Sequence, residues 1–107
     1  MTTFDQREES FEKKFALDEE LKFKAEARRN RLLGLWAAEK LGMSSEAATA
    51  YAKDVVAADF EEGGGRGVLR KVLGDLTTKG ITVSEGDISA KMMELLAVAI
   101  AQVKAGT

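Results

Sequence analysis

Three arginines lie close together and are the side chains best suited to bind an anion: Arg28, Arg29 and Arg31. A guanidinium group stays charged at neutral pH and can donate paired hydrogen bonds to a phosphate or a carboxylate. Residues 21–31 hold five basic side chains and one acidic one, a net charge of +4, whereas residues 1–20 carry −4. Charge runs on helices usually face solvent. The cluster therefore predicts a solvated helix face, or else a site for an acidic protein surface or a nucleotide phosphate.

The side chains that most often carry catalysis are scarce. The chain has no histidine and no cysteine, which removes the commonest general base, the commonest metal ligands and the thiolate nucleophile. Consecutive carboxylates occur at residues 18–20 and 61–62, but catalytic carboxylates need a cleft that separates their pKa values, and nothing in the pattern indicates one. We predict no catalytic residue, no metal ligand and no enzymatic activity.

A glycine-rich segment, residues 63–67, invites comparison with phosphate-binding loops. A P-loop follows a strand and ends in a lysine and a hydroxyl residue that hold the phosphates and magnesium. Here no strand precedes the segment, and Lys71 is followed by Val72. We therefore predict that it is a flexible linker.

Three phenylalanines near the N-terminus form a stripe at helical spacing, which we call the phenylalanine stripe: Phe4, Phe11 and Phe15. At about 100° per residue they fall within roughly 40° of one another, and almost every residue between them is charged. On an unbroken helix, the next apolar group would lie roughly 80° away from the stripe. That group consists of Leu21, Ala25, Leu32 and Trp36.

A stripe out of register with the following helix allows three interpretations. The segment can fold back so that the phenylalanines join the chain's own core, or it can lay them into a groove of another protein. A membrane-surface helix is a weaker third interpretation, because the polar face is acidic and anionic lipid prefers lysine and arginine there.

Four amphipathic helices are expected to position these residues. They span about residues 19–41, 44–60, 68–79 and 84–105, with Gly42 and Gly80 as C-terminal caps, Ser44 or Ser45 as the N-cap of the second helix and Ser84 as the N-cap of the fourth. Trp36 is expected to anchor the core from the first helix. The expected inward faces of the other three are Ala48, Tyr51, Ala52, Val55 and Val56 in the second, Leu69, Val72, Leu73 and Leu76 in the third, and Ile88, Met92, Leu95, Leu96, Ala99 and Val103 in the fourth. The predicted fold is an all-α, four-helix bundle-like domain at residues 19–107 with a mobile or partly helical N-terminal arm at residues 1–18.

Composition narrows the classes of partner. The net charge of −2 argues against a dedicated nucleic-acid binder, and no apolar run is long enough for a membrane-spanning helix. The N-terminus lacks the basic start and apolar block of a secretory signal. We therefore expect a cytoplasmic protein with no nucleic acid partner and no direct membrane insertion.

Two long segments carry a resemblance to a known family: residues 11–16, FEKKFA, and residues 18–39, DEELKFKAEARRNRLLGLWAAE. Together they closely resemble the zeta subunit of alpha-proteobacterial F-type ATP synthases. The similarity continues through Tyr51-Ala52, Val55-Val56 and residues 59–62, and more loosely through residues 68–71 and 92–103. The glycines at 63–67 are not part of the pattern.

The resemblance implies a regulatory inhibitor of ATP hydrolysis. Members of this family are small helical bundles whose N-terminal segment becomes helical on entering a catalytic interface of the synthase head. On this chain the inhibitory segment would be residues 1–15, and its partner-binding residues would be the phenylalanine stripe together with Arg7, Glu8 and Lys14.

The resemblance also implies a monomer when free, held peripheral to the inner membrane through the ATP synthase. No cofactor is expected, although weak ATP or ADP binding would place the phosphates at Arg28, Arg29 and Arg31. The alternative to the inhibitor is a small helical adenine-nucleotide or anion-binding protein that uses those arginines.

Overall fold

Four α-helices and no strand make up the part of the chain that the structure describes. The computed structural model describes the backbone of residues 2–106 and the side chains of residues 19–106. The helices are α1 (Thr2–Lys40), α2 (Ser45–Glu61), α3 (Arg66–Thr78) and α4 (Glu85–Lys104). The predicted all-α four-helix class is confirmed. The predicted boundary at residue 18 falls within α1.

The helices alternate in direction around the bundle. Arg28 on α1 contacts Gln102 late in α4, whereas Trp36 contacts Lys91 early in α4, so α1 and α4 are antiparallel. Along α2, Phe60 lies near Phe23 of α1, and Thr49 near Leu35, so this pair is antiparallel as well. Helix α3 packs against both α2 and α4. The result is an up-down-up-down bundle with short connections.

Local sequence determines the starts of α2 and α4 and the ends of α1 and α3, as predicted. The Ser44 hydroxyl accepts a hydrogen bond from the Ala47 N–H at the start of α2, and Ser84 forms a reciprocal capping box with Asp87 at the start of α4. At the end of α1, Gly42 has a φ of +73°, and at the end of α3, Gly80 has a φ of +87°. Both ends carry the paired hydrogen bonds of a Schellman motif, which a left-handed glycine permits.

The core lies at the centre of the four helices. Its members are fully or almost fully buried: Leu33, Ala37 and Ala38 from α1, Tyr51 and Val55 from α2, Val68, Val72 and Leu76 from α3, and Ile88 from α4. The predicted inward faces of α2, α3 and α4 are thereby confirmed at their central positions. Several residues predicted as core are half-buried around it instead: Leu69, Leu73, Met92, Leu95 and Trp36.

Gly34 marks the closest approach of α1 and α2. A Cβ at this position would lie 2.7 Å from the Ala52 Cα, well inside van der Waals contact. The missing side chain thus allows the two backbones to pack directly against each other.

The segment predicted as a flexible linker, residues 63–67, connects α2 to α3 as a tight turn with defined contacts, and its last two residues, Arg66 and Gly67, already belong to α3. Gly64 and Gly65 have φ values of +72° and +82°, a conformation that favours glycine. The Gly65 N–H donates to Asp59 Oδ1 at 3.3 Å, and the Gly67 N–H donates to the Glu62 carbonyl at 3.1 Å. A Cβ on Gly67 would collide with the Ala58 carbonyl. The glycines therefore serve a close chain reversal, and α3 begins at Arg66, two residues earlier than predicted.

Candidate functional site

Six predicted partner-binding residues lie near the start of α1, and their side chains fall outside the described residues: Phe4, Arg7, Glu8, Phe11, Lys14 and Phe15. The described surface therefore consists of the rest of α1 and of the helices that pack against it.

The buried face of α1 differs from the predicted one. Leu33, Ala37 and Ala25 are fully buried, whereas the other members of the predicted apolar group are half-buried. Those are Leu21, Leu32 and Trp36. The reason is that α1 packs against α2 on one side and α4 on the other, which widens its buried face and shifts its centre.

This shift changes the reference direction for the phenylalanine stripe, whose own side chains lie outside the described residues. At about 100° per residue, Leu33 lies roughly 20° and Ala37 roughly 60° from the mean direction of the stripe. On an unbroken helix the stripe would therefore share the core-facing side of α1. The direction of the stripe around the helix axis therefore does not distinguish it from the core-facing residues. Its position along the axis is the remaining difference.

Two of the three candidate arginines line one open groove between α1, α2 and α4. Arg28 and Arg31 face this space of about 600 Å³ together with Lys24, and we call it the basic groove. Its remaining lining is mostly apolar: Phe23, Ala27, Val56, Val103 and Gly106. The Arg28 Nη1 donates to Gln102 Oε1 at 3.5 Å, which ties the groove to the end of α4. Such a groove can hold a flat apolar group and an anion together.

The third arginine lies on another face of α1. Arg29 donates from Nε and Nη2 to Asn30 Oδ1 at 3.1 and 3.0 Å, and Asn30 is only 1% exposed. Its Nη2 is also near the glycine turn, 3.5 Å from where a Cβ on Gly65 would stand. The charged hydrogen bonds satisfy a buried amide oxygen, which is otherwise costly to bury. Arg29 therefore contacts the bundle interior and not the basic groove.

The helix face predicted to be solvated carries an exposed ion pair. Lys24 Nζ lies 3.2 Å from Glu20 Oε1, one turn away, and both side chains are mostly exposed. An exposed pair of this kind contributes at most about 1 kcal/mol. It neutralises the outer edge of the basic groove, so the positive charge of the groove lies mainly with its two arginines.

Two exposed phenylalanines, which the sequence analysis did not single out, stand on the surface near this groove. Phe23 is 71% and Phe60 is 83% exposed. They line a narrow cleft of about 60 Å³ between α1 and α2, together with Glu26 and Asp59. The spacing of α2 held a usable indication, because at about 100° per residue Phe60 lies roughly 140° from the buried Val55.

Tyr51 forms a separate polar contact between α2 and α3. Its hydroxyl donates to Asp75 Oδ2 at 2.7 Å, and Lys71 Nζ lies 3.3 Å from the same oxygen. The lysine also lies 5.2 Å from the centre of the tyrosine ring. Burial raises the pKa of the Tyr51 phenol, and the hydrogen bond to Asp75 raises it further. The phenol thus stays protonated at neutral pH and serves as a structural donor.

Within residues 19–106, no group of three or more carboxylates is arranged to hold a metal ion. None of the helices in the described part of the chain combines the length and the apolarity that spanning a bilayer requires.

The fold and its surface define a small all-α bundle protein that offers grooves and exposed aromatics for binding. A family model described as ATPase inhibitor subunit zeta matches residues 1–102, and the chain belongs to this family. Among curated proteins, no sequence matches the chain. A protein of known structure, solved by solution NMR, is 54% identical and superimposes with a TM-score of 0.70. The match covers 81% of this chain and 99% of that one.

Membership of this family indicates a regulatory inhibitor of an ATPase. The resemblance inferred from residues 11–16 and 18–39 is thereby confirmed at the level of the family.

Proposed function

We propose that this protein inhibits ATP hydrolysis by the F-type ATP synthase, and that the N-terminal part of α1 enters a catalytic interface of the head. One observation carries the proposal: α1 begins far ahead of the helices that cover it. The ends of α2 and α4 lie beside residues 23–31 of α1, whereas α1 begins at Thr2. On a continuous helix, Phe15 lies about 12 Å beyond Phe23.

The core supports the same proposal. Among the described side chains, the fully buried apolar residues run from Ala25 to Ala99 and come from all four helices. No buried side-chain nitrogen or oxygen in this part of the chain is without a hydrogen-bond partner. Within residues 19–106 the bundle thus has a hydrophobic interior to which all four helices contribute, and this supports a role for the phenylalanine stripe as an anchor on another protein.

The stripe is chemically suited to such an anchor. Burying a phenylalanine contributes roughly 1.5–3 kcal/mol, so three of them can offset the cost of fixing a helix in a groove. Arg7, Glu8 and Lys14 would provide polar contacts at the edge of that groove. The protein would act as a monomer on the cytoplasmic side, peripheral to the inner membrane through the synthase.

Deletion of residues 2–15 tests the proposal. We expect the shortened chain to lose inhibition of ATP hydrolysis by the isolated synthase head, while its helical circular dichroism and thermal unfolding stay close to those of the full chain. A shortened chain that is folded and inhibits as strongly as the full one would show that the inhibitory surface lies on the bundle.

A second function is favoured by the basic groove, where Arg28, Arg31 and Lys24 face apolar lining from Val56 and Val103. We propose that the groove binds ADP or ATP weakly, with the phosphates at the arginines and the base against the valines. The nucleotide would be a ligand there and not a catalytic cofactor.

An NMR titration with ADP checks this second function. We expect amide shifts that cluster at residues 24–31 and 103–106 and that weaken in Arg31→Ala. The exposed Arg66 at the start of α3 provides the matched control, since Arg66→Ala removes the same charge away from the groove. Shifts spread evenly over the chain, or equal loss in both variants, would rule the groove out as a nucleotide site.

A further inference from the structure

The exposed phenylalanines Phe23 and Phe60 form one surface, which we call the aromatic patch. They stand on opposite sides of the same narrow cleft, Phe23 on α1 and Phe60 on the last turn of α2. Phenylalanine is among the residues most often found buried, so two mostly exposed rings side by side mark a surface that binds.

The described core of the bundle contains no phenylalanine. Of the five phenylalanines in the chain, three belong to the N-terminal stripe and the other two form the aromatic patch. The bundle interior is built from leucine, valine, isoleucine, alanine and tyrosine instead. The two phenylalanine rings of the described residues are thus available to a partner, whereas Tyr51 belongs to the core and Trp36 packs against it.

The cleft side of the aromatic patch carries mainly negative charge. Glu26 and Asp59 line the cleft itself, and Glu61 follows Phe60 along the chain. Glu62 is paired with Arg70 at 3.1 Å, and Phe23 also borders the basic groove. On the far side of Phe23, Lys24 is paired with Glu20. A complementary partner surface would be an apolar depression bordered by lysine and arginine.

The position of the patch identifies which partner can reach it. Phe23 lies on the same helix as the phenylalanine stripe, eight residues after Phe15, which corresponds to about 12 Å along the axis. A helix that inserts its first 15 residues into a protein therefore brings the patch against the outer surface of that same protein.

We propose that the aromatic patch is a second contact of this inhibitor with the ATPase head, on an apolar surface with a basic border beside the groove that takes the N-terminal helix. This inference rests on the proposed function. The inserted helix holds the patch at a high effective concentration next to the head, so a weak second contact strengthens binding by a large factor. The patch would also fix the orientation of the bundle and keep it from pivoting about the inserted helix.

Substitution of the patch in the full-length chain tests the proposal. We expect Phe23→Ala combined with Phe60→Ala to raise the inhibition constant by about tenfold or more, as loss of central aromatic anchors does at other interfaces. Thermal unfolding should change little, because both rings are exposed in the folded protein. Met93→Ala is the matched control, since Met93 is 75% exposed on α4 and lies outside the cleft.

A charge substitution probes the rim independently. Glu61→Lys should weaken inhibition most at low ionic strength, and added salt should reduce the difference from the unaltered chain. An effect of the same size and salt dependence from Glu85→Lys, which changes an exposed charge at the start of α4, would contradict a local role for the rim.

The outcomes separate this inference from the proposed function. If deletion of residues 2–15 abolishes inhibition and the patch variant inhibits like the unaltered chain, the patch contact is wrong and the inserted helix stands. If the folded deletion variant still inhibits, the proposed function is wrong. Sedimentation of the free chain tests whether the patch binds a second copy of the chain instead. A dimer that the patch variant converts to monomer would assign the patch to that contact.

Discussion

At the scale of single residues, the contact between α1 and α2 depends on the absence of one methyl group. Gly34→Ala would place a Cβ 2.7 Å from the Ala52 Cα, so the helices must separate. We expect the change to destabilise the protein by about 1–3 kcal/mol, although alanine favours the helix by about 1 kcal/mol. Gly74→Ala is the control in α3, where no atom lies within 4 Å of the new Cβ, and it should stabilise. Urea unfolding of both variants measures the two changes in the free energy of unfolding. A Gly34→Ala protein at least as stable as the unaltered one would contradict the close contact.

Tyr51 gives a prediction about alkaline pH. Because burial and Asp75 raise its pKa, the folded chain keeps the phenol proton at pH values where the unfolded chain has lost it. The unfolded state then binds fewer protons, so stability is fully present below pH ~10 and falls as the pH rises further. Tyr51→Phe should lower stability by about 0.5–1.5 kcal/mol at neutral pH and make the alkaline decline shallower.

The ionisation of the Tyr51 phenol can be measured directly, because Tyr51 is the only tyrosine in the chain. Ultraviolet absorbance of tyrosinate during a pH titration therefore reports this group alone. A phenol that ionises at the usual value in the folded protein, or an alkaline decline that Tyr51→Phe leaves unchanged, would contradict the buried hydrogen bond.

At the scale of elements, the start of α4 depends on its capping box. The Ser84 hydroxyl accepts from the Asp87 N–H at 3.0 Å, and Asp87 Oδ2 accepts from the Ser84 N–H at 3.0 Å. We expect Ser84→Ala to cost about 1 kcal/mol in urea unfolding. Ser89→Ala, on the exposed face of the same helix, is the control and should be neutral or slightly stabilising. Equal effects of the two substitutions would contradict the cap.

The same capping box predicts a response to acid. The backbone hydrogen bond from Ser84 lowers the pKa of Asp87, and the Ser84 side chain lowers it further. The folded state therefore binds fewer protons than the unfolded state near pH 4, so the contribution of this carboxylate is present above that pH and is lost as the pH falls. Asp87→Asn should remove this part of the acid dependence in unfolding measured from pH 7 downwards.

Also at this scale, the sequence predicted α2 and α4 within one or two residues, because serine caps and left-handed glycines are local features. It failed where an outcome depends on neighbouring helices. The buried face of α1 could not be located from its own periodicity, since two helices cover it from different sides. The tight turn at residues 63–67 was not predicted from its glycines, because the close approach of Gly67 to the Ala58 carbonyl exists only once the chain has turned back.

The candidate site shows the same division. The grouping of Arg28, Arg29 and Arg31 was visible in the sequence, but their separation into a groove and an interior contact was not. The directions of these arginines around α1 separate them only once the positions of α2 and α4 are known. The exposure of Phe23 had the same kind of indication as that of Phe60, because at about 100° per residue Phe23 lies roughly 160° from Leu21 and Ala25 of the predicted apolar group.

At the scale of the whole molecule, we propose that α1 has two parts with different functions. The second half of α1 closes the bundle with α2, α3 and α4, and the first half carries the phenylalanine stripe. A bundle that is stable by itself can present the stripe to another protein without losing its own fold. The central claim is that inhibition depends on those rings, whereas folding does not.

The most direct test is inhibition of ATP hydrolysis by the full chain carrying Phe11→Ala and Phe15→Ala, alongside the thermal unfolding of the same protein. Leucine at both positions is the matched control, because it keeps an apolar stripe and should retain much of the inhibition. We expect the alanine variant to lose inhibition and to unfold at nearly the same temperature as the unaltered chain. An alanine variant that inhibits fully, or one destabilised by several kcal/mol as buried core phenylalanines would be, would contradict it.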